Sequence, residues 1–349
     1  MENSLKRKSF NIGNLVIGDG KVLIQSMGDH KTSDTDFLIQ ETNDLTAIGL
    51  DMMRFSVLDS KDAKALKIIK EHVSVPIIAD IHFDYRLALE AIDSKVDKIR
   101  INPGNIGTNS NLLEVIHKAK DNNIPIRIGV NSGSLTKFRG KTLNKADDIL
   151  LAMDETISVF EEENFDNLVL SLKSSDPLLV REIYEKAYSR YPYPLHIGLT
   201  ESGFGTEGAI KSALGVYPLL KEGIGDTLRV SLADDRKEEI RACKTLLKLA
   251  QRRDNVPDLI VCPTCGRTLV DVKPISRIVE EYLDHVNKNI KVAIMGCPVN
   301  GVGEAKDADY GIAGSGKENI YLLFAKGKTI GLYEKEEALK KLFSLIDSF

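Results

Sequence analysis

The sequence predicts an α/β protein, a TIM-type (β/α)8 barrel followed by a small α+β domain, and three observations predict it. Short β-branched runs alternate with longer amphipathic stretches eight times in the first two-thirds of the chain, the pattern of parallel strands joined by helical crossovers. After Asp254-Asn255-Val256-Pro257 the alternation stops. The length of 349 residues exceeds the roughly 250 that one barrel uses, which leaves room for one small module. The predicted division is 1–255 for the barrel and 256–349 for the second domain. An open doubly wound sheet is the structural alternative, and eight units in this length fit closure better.

The strand candidates are 22–27, 51–57, 76–82, 97–102, 125–131, 166–173, 195–200 and 227–232. Helical periodicity follows at 35–48, 61–73, 84–95, 110–121, 144–162, 176–190, 207–222 and 235–253. In 35–48, for example, Leu38, Leu45 and Ile48 share a face and Gly49 ends the run. Residues 9–20 contain a short alternating pair around Ile17-Gly18-Asp19-Gly20, read as a hairpin under the barrel. Beyond 257 the signals are a helix at 274–287, an apolar run at 291–295 and a strand at 319–325.

Composition narrows the function classes. The chain is 42% hydrophobic and 28% charged with a formal net charge of -4, which argues against a broad basic surface for nucleic acid or anionic lipid. Any anion site must therefore be concentrated. No apolar run reaches the roughly 18 residues of a membrane span, and no signal-peptide core follows Lys6-Arg7-Lys8. The chain reads as cytoplasmic, and four cysteines are too few for a disulfide framework in a chain of this size.

Chemistry in a barrel sits at the carboxyl ends of the strands. There the sequence places Gln25 and Ser26, Arg54, Asp80 and His82, Arg100 and Asn102, Arg127 and Asn131, Lys173, Glu201, Arg229 and Ser231. Arginines and a lysine inside strand runs are costly if unpaired. Each alone is as well explained by an outward turn toward a helix carboxylate; the set on successive units favours a shared anionic ligand, phosphate or diphosphate first. Asp80 and His82 fall on one strand face, as an orienting or proton-donating pair would, and a structural hydrogen-bonded pair is the bland reading. Glu201 is an acid-base candidate, although most loop glutamates are simply solvated.

Two glycine-rich segments imitate nucleotide loops. Gly203 to Gly208 fits G-x-G-x-x-G but lies in the seventh unit, where a phosphate loop late in a barrel is the better reading. Gly311 to Lys317 fits G-x-x-x-x-G-K, but Glu318 stands where Ser or Thr would hold magnesium and a strand follows, so a P-loop is rejected.

Cys262-Pro263-Thr264-Cys265 and the later Cys297 offer three soft thiolates, for zinc or for an iron-sulfur cluster. Spacing leaves both open. Cys243 is in helical phase with Ile240, Leu246 and Leu247 and reads as a core residue. Glu304, at the end of the Gly-rich run from Gly296, is the other candidate for the fourth ligand.

Several long motifs in order resemble one family. They are Ile24-Gln25-Ser26-Met27, Arg100 to Gly107, Ile126 to Asn131, Gly225 to Leu232, Cys262 to Thr268, and Cys297 to Glu304. The chain resembles, over nearly its whole length, bacterial 4-hydroxy-3-methylbut-2-en-1-yl diphosphate synthase, the reductive iron-sulfur enzyme of the methylerythritol phosphate route to isoprenoids. The resemblance implies a second domain like the iron-sulfur module of sulfite reductase, with a 4Fe-4S cluster on Cys262, Cys265, Cys297 and Glu304. It implies that Arg54, Arg100, Arg127, Lys173 and Ser231 bind a diphosphate, with Asp80, His82 and Asn131 beside it and Glu201 near the reacting carbons. It also implies a head-to-tail homodimer in which each cluster domain caps the other copy's barrel, with ferredoxin or flavodoxin as electron donor. Gly28-Asp29-His30 departs from the family's Thr-Asn-Thr, Val302 from a proline and Ser202 from an alanine. Two rivals stand beside this reading: a zinc-stapled Schiff-base aldolase using Lys173, and a non-enzymatic redox sensor.

Overall fold

The computed structural model describes residues 5–131, 144–299, 303, 305–317 and 319–349, with Asn131 described by its backbone alone. Two units divide between Arg253 and Asp254.

In the first unit a hairpin of β1 (Phe10–Ile12) and β2 (Leu15–Ile17) precedes eight strands: β3 (Leu23–Met27), β4 (Met52–Val57), β5 (Ile77–Ile81), β6 (Lys98–Ile101), β7 (Ile126–Asn131), β8 (Leu168–Lys173), β9 (His196–Ile197) and β10 (Thr227–Leu228). They form one parallel sheet in the order β8-β7-β6-β5-β4-β3-β10-β9. A parallel bridge between Leu170 and Leu195 joins its ends. The Tyr184 hydroxyl braces this seam, accepting from Leu172 N at 3.0 Å and donating to His196 O at 2.5 Å. The alternation of strand residues sets two environments. Outward residues such as Met53, Phe55, Ala79, Ile99 and Ile128 join the main core beneath the helices. Inward residues at the amino ends, Leu23, Met52, Ile78 and Val169, pack against Ile12 and Ile17 of the hairpin. The hairpin thus closes the barrel floor; burial of Ile12 and Ile17, both fully covered, contributes roughly 1.5–3 kcal/mol each. Its turn lies at Gly13-Asn14, between the paired Ile12 and Leu15, not at Gly18 to Gly20 where the alternation pointed. Gly13 takes φ +57, which the tight turn requires.

The helices of this unit are α1 (Thr35–Ala47), α2 (Ser60–His72), α3 (Tyr85–Asp93), α4 (Asn109–Asp121), α5 (Lys145–Glu162), α6 (Pro177–Arg190), α7 (Gly205–Lys221) and α8 (Arg236–Leu249). Side-chain caps explain most of their starts: Asp59, Asp84, Thr108, Asn144, Asp176 and Asp235 each accept an amide from the first turn. Six strands follow the sequence reading closely, but β9 and β10 pair over two residues each rather than the six predicted at 195–200 and 227–232. The physical cause is local: Gly198 has φ +146, and a Cβ there would stand 2.3 Å from Arg229 O. At this crossing the chains leave the ladder and run on as cavity wall.

The second unit holds a five-stranded mixed sheet and, among the described residues, helices α9 and α10: β11 (Asp258–Val261), α9 (Val272–Asp284), β12 (Lys291–Met295), β13 (Tyr310–Gly314), β14 (Ile320–Ala325), β15 (Lys328–Glu334) and α10 (Lys335–Ser348). β11, β12 and β13 are parallel, and β14 and β15 continue antiparallel. One sheet face, with Val292, Ile294, Ile312 and Leu323, packs against Val279 and Leu283 of α9 and Leu342 and Ile346 of α10. The Gly311 to Lys317 segment is the end of β13 and the turn into β14, with Ser315 N donating to Ile320 O. Among the described residues no helix is long and apolar enough to cross a membrane.

Candidate active site

The inner wall of the barrel turns from apolar to charged above its floor. A cavity of about 340 Å³ opens there, lined by Arg54, Asp80, His82, Arg100, Arg127, Gly129, Val130, Ser171, Lys173, Leu199, Thr200, Glu201, Arg229 and Ser231. The arginines therefore point inward, and the outward reading of each does not hold. Neighbouring strands deliver them by register: Asp80 pairs with Arg100, and Arg100 with Arg127.

Asp80 braces one side. Its Oδ1 accepts from Arg100 Nη1 at 2.9 Å, and its Oδ2 lies 3.5 Å from Arg54 Nε. Burial alone would raise this carboxyl, but Arg54 beside it, with His82, Arg100 and Arg127, holds it well below the usual range. Arg100 Nη1 also lies 2.7 Å from His82 Nε2. The same Nε2 lies 3.4 Å from Asp80 Oδ1, so it meets both the guanidinium and the carboxylate.

Cations outnumber their partners. Arg127 is 2% exposed, and neither its Nε nor its Nη1 has a hydrogen-bond partner. Among the described residues no carboxylate pairs with Arg127 or Lys173. Burial, then the neighbouring arginines, pushes both far below their ordinary values, and Lys98 and His196, deeper in the barrel, are lowered by burial and the same surplus. Arg54 is pushed down to about 10 by burial, in spite of Asp80. An interior with this excess of positive charge is stabilised by a multivalent anion entering from the open end.

Glu201 lies on the wall with its backbone at φ +52, an uncommon conformation for a residue with a side chain. Asn102 accepts Gly104 N at 3.1 Å, which is turn chemistry. The Gly203 to Gly208 run is explained by packing: a Cβ on Gly208 would lie 2.8 Å from Leu232 Cδ2 and 2.9 Å from Gly203 C. The Asn131 side chain lies outside the described residues, though its backbone pairs with Lys173 at the mouth. Arg229 was visible as a strand-end charge; Glu239, which binds it, was not, because a glutamate in a helical repeat gives no sign of being buried.

In the second unit the cysteines follow the strand ends. Cys262 is next after β11, its amide donating to Ile294 O at 2.9 Å, and Cys297 lies just past β12. Leu269 N donates to Gly296 O at 2.9 Å, which fastens the Cys262–Cys265 loop beside Cys297. A Cβ on Gly296 would meet Thr268 Oγ1 at 3.1 Å, so a larger residue would push the Thr268 side chain aside. Arg267 N lies 3.5 Å from Cys265 Sγ, an amide directed at the sulfur. All three thiols are free. Among the described residues no three His, Cys, Asp or Glu side chains are grouped closely enough for a single metal ion. A four-iron cluster places each thiolate on a different iron and so accepts a wider set. Glu304 lies outside the described residues. Cys243 is a core residue of the barrel unit, and burial pushes its thiol up to about 12.

Residues 7–244 match the GcpE TIM-barrel domain and residues 258–348 the GcpE protein C-terminal domain. The chain belongs to the GcpE family. It is 44% identical over 349 residues to the 4-hydroxy-3-methylbut-2-en-1-yl diphosphate synthase (flavodoxin) of Clostridium perfringens, covering 99% of each chain. It is 44% identical to the enzyme of that name from Bacillus subtilis, covering 98% of this chain and 91% of the relative. GcpE barrels share their fold more widely: a dihydropteroate synthase from Yersinia pestis superposes with a TM-score of 0.52 at 10% identity, covering 70% of this chain and 98% of its own.

Proposed function

We propose that the chain catalyses the two-electron reductive ring opening of 2-C-methyl-D-erythritol 2,4-cyclodiphosphate, with loss of water, to 4-hydroxy-3-methylbut-2-enyl diphosphate. Relatives that match it end to end carry the name of this enzyme. The observation that carries the reading in the structure is the charge surplus of the barrel cavity, which matches a diphosphate.

Arg127 and Lys173, without carboxylate partners, supply the charge that the diphosphate neutralises. Arg54 and Arg100, braced by Asp80, give direction more than net charge, because part of their charge is already met. Ser231 contributes a hydroxyl, and Asn131, whose side chain lies outside the described residues, is included in the reading from the family resemblance alone. His82, between Arg100 and Asp80, is a proton donor or keeps the fork in place. Glu201, on the cavity wall, is the acid-base group of this reading, near the reacting carbons.

The thiols of Cys262, Cys265 and Cys297, with the Glu304 carboxylate, would hold a 4Fe-4S cluster. When bound, that cluster supplies electrons one at a time to the carbon-oxygen bond that breaks. The unit 256–349 is then the electron-delivering domain and 1–255 the substrate domain. The reading includes a cytoplasmic homodimer, each copy's cluster unit serving the other's barrel. The relatives' name favours flavodoxin over ferredoxin as donor.

The test is anaerobic purification, iron and sulfide analysis, and turnover of the cyclic diphosphate with a reduced donor. Turnover that depends on both cluster and reductant is the expected result. Cluster-loaded protein that binds the substrate but leaves it unreduced would refute the reading.

A further inference from the structure

The barrel seam between β3 and β10 is unusual in how little of it is sheet. Pairing ends at Leu228 and Ile24, yet the residues that reach the cavity, Arg229 and Ser231, lie beyond that point. Main-chain pairing with β3 therefore does not set their positions. Glu239, in the first turns of α8, lies in this gap and is 1% exposed.

Its carboxylate gathers donors from both sides. Oε2 accepts from Ser26 Oγ on β3 at 2.8 Å and from Arg229 Nε at 3.3 Å. Oε1 accepts from Arg229 Nη2 at 3.1 Å, Leu232 N at 3.0 Å and Arg236 Nη1 at 3.0 Å. The grip on Arg229 is a fork on both oxygens, the geometry that fixes a guanidinium in plane as well as in place. The same carboxylate ties the main chain at Leu232, the residue after Ser231, to the side chain of Ser26. Where hydrogen bonds of the ladder stop, this one side chain takes over.

We propose that Glu239 is a positioning residue for the bound diphosphate: it fastens the open seam above the last sheet pair and thereby sets the Arg229 fork toward the ligand. This rests on the diphosphate reading of the cavity. Glu239 holds Ser26, Arg229, Arg236 and the Leu232 amide, and of these four residues Arg229 alone lines the cavity, so its effect on the ligand passes through Arg229.

The experiment measures affinity of the full-length protein for inorganic pyrophosphate, with KM and kcat for the cyclic diphosphate alongside. Glu239→Gln keeps the shape and removes the charge; Arg229→Gln removes the fork. Each single variant is expected to weaken pyrophosphate binding roughly 10- to 100-fold, and the double variant to be no weaker than Arg229→Gln alone, because Glu239 acts through that arginine. KM should rise more than kcat falls. Losses that multiply in the double variant, or wild-type affinity in Glu239→Gln, would overturn the proposal. Should Glu239→Gln fail to fold, Ser26→Ala replaces it; a loss of a few-fold that vanishes in the Arg229→Gln background supports the inference, and an undiminished loss there overturns it. Arg127→Met separates the two readings. If it too binds pyrophosphate as the wild type does, the diphosphate reading falls and this inference with it; if only Arg127→Met weakens binding, the Glu239 inference alone falls.

Discussion

Arg100 Nη1 lies 2.9 Å from Asp80 Oδ1 on the neighbouring strand, and the other oxygen of the same carboxylate faces Arg54. One buried anion thus braces two of the arginines of the cavity. Asp80→Asn leaves both guanidinium groups buried without charge balance, and should destabilise the protein by about 3–5 kcal/mol, measured by denaturant titration. The sign with pH is fixed: a carboxyl lowered from its ordinary 3.8 contributes fully above that value, and its contribution is lost as pH falls through the folded-state value. The cost of Asp80→Asn should therefore be constant from pH 6 to 8 and shrink only in acid.

Arg127 makes the opposite prediction. It is buried, its Nε and Nη1 have no hydrogen-bond partner and no carboxylate pairs with it among the described residues, so Arg127→Met removes an uncompensated charge. The ligand-free protein should melt a few degrees higher while substrate affinity falls by about 100-fold or more. Calorimetry and titration on one sample check both. A lower melting temperature would count against the charge surplus.

For the cluster, Cys265→Ala and Glu304→Ala should each lower iron and sulfide content and activity, whereas Cys243→Ala should leave iron content at wild-type level. Cys243 is core in the other unit, so its loss should appear as a modest stability change only. Full cluster and full activity in Glu304→Ala would sink its assignment as a ligand.

How much of this was legible in the sequence depends on what fixes each feature. The eight units follow from periodicity because each helix hides one stripe and each strand alternates. The early ends of β9 and β10 are hidden, since the close approach of Gly198 to the Arg229 carbonyl, which a Cβ would block, is a tertiary event. In the second unit β11, β13 and β15 went unread: β11 and β15 expose side chains along much of their length, and β13 begins Tyr-Gly. Arg54, Arg100, Arg127 and Lys173 stood out because charge inside a strand run is costly. Glu239 sits one turn before Cys243 on a helix where an acidic residue near the start is ordinary, and only its burial among donors marks it.

The departure at Gly28-Asp29-His30 brings a pH effect of its own. Burial first, then Asp29, raises the Glu41 carboxyl from 4.5 to about 7; Asp235 adds to this, and Arg236 and His30 oppose it. The folded state holds this proton more tightly than the unfolded chain. Stability therefore falls as pH rises from 4.5 to about 7, by about 1 kcal/mol once screening of a half-exposed group is allowed for. Glu41→Gln should flatten that slope; an unchanged slope in urea titrations across this range would show that another group is responsible.

The floor formed by Ile12 and Ile17 makes the barrel a blind vessel. Whatever solvates its charged interior has one way out, the mouth by which a ligand comes in. Filling and emptying are then a single exchange, a polyanion for the water and counterions it displaces. The rate and strength of that exchange should fall steeply with added salt, even though the formal net charge of the whole chain is only -4.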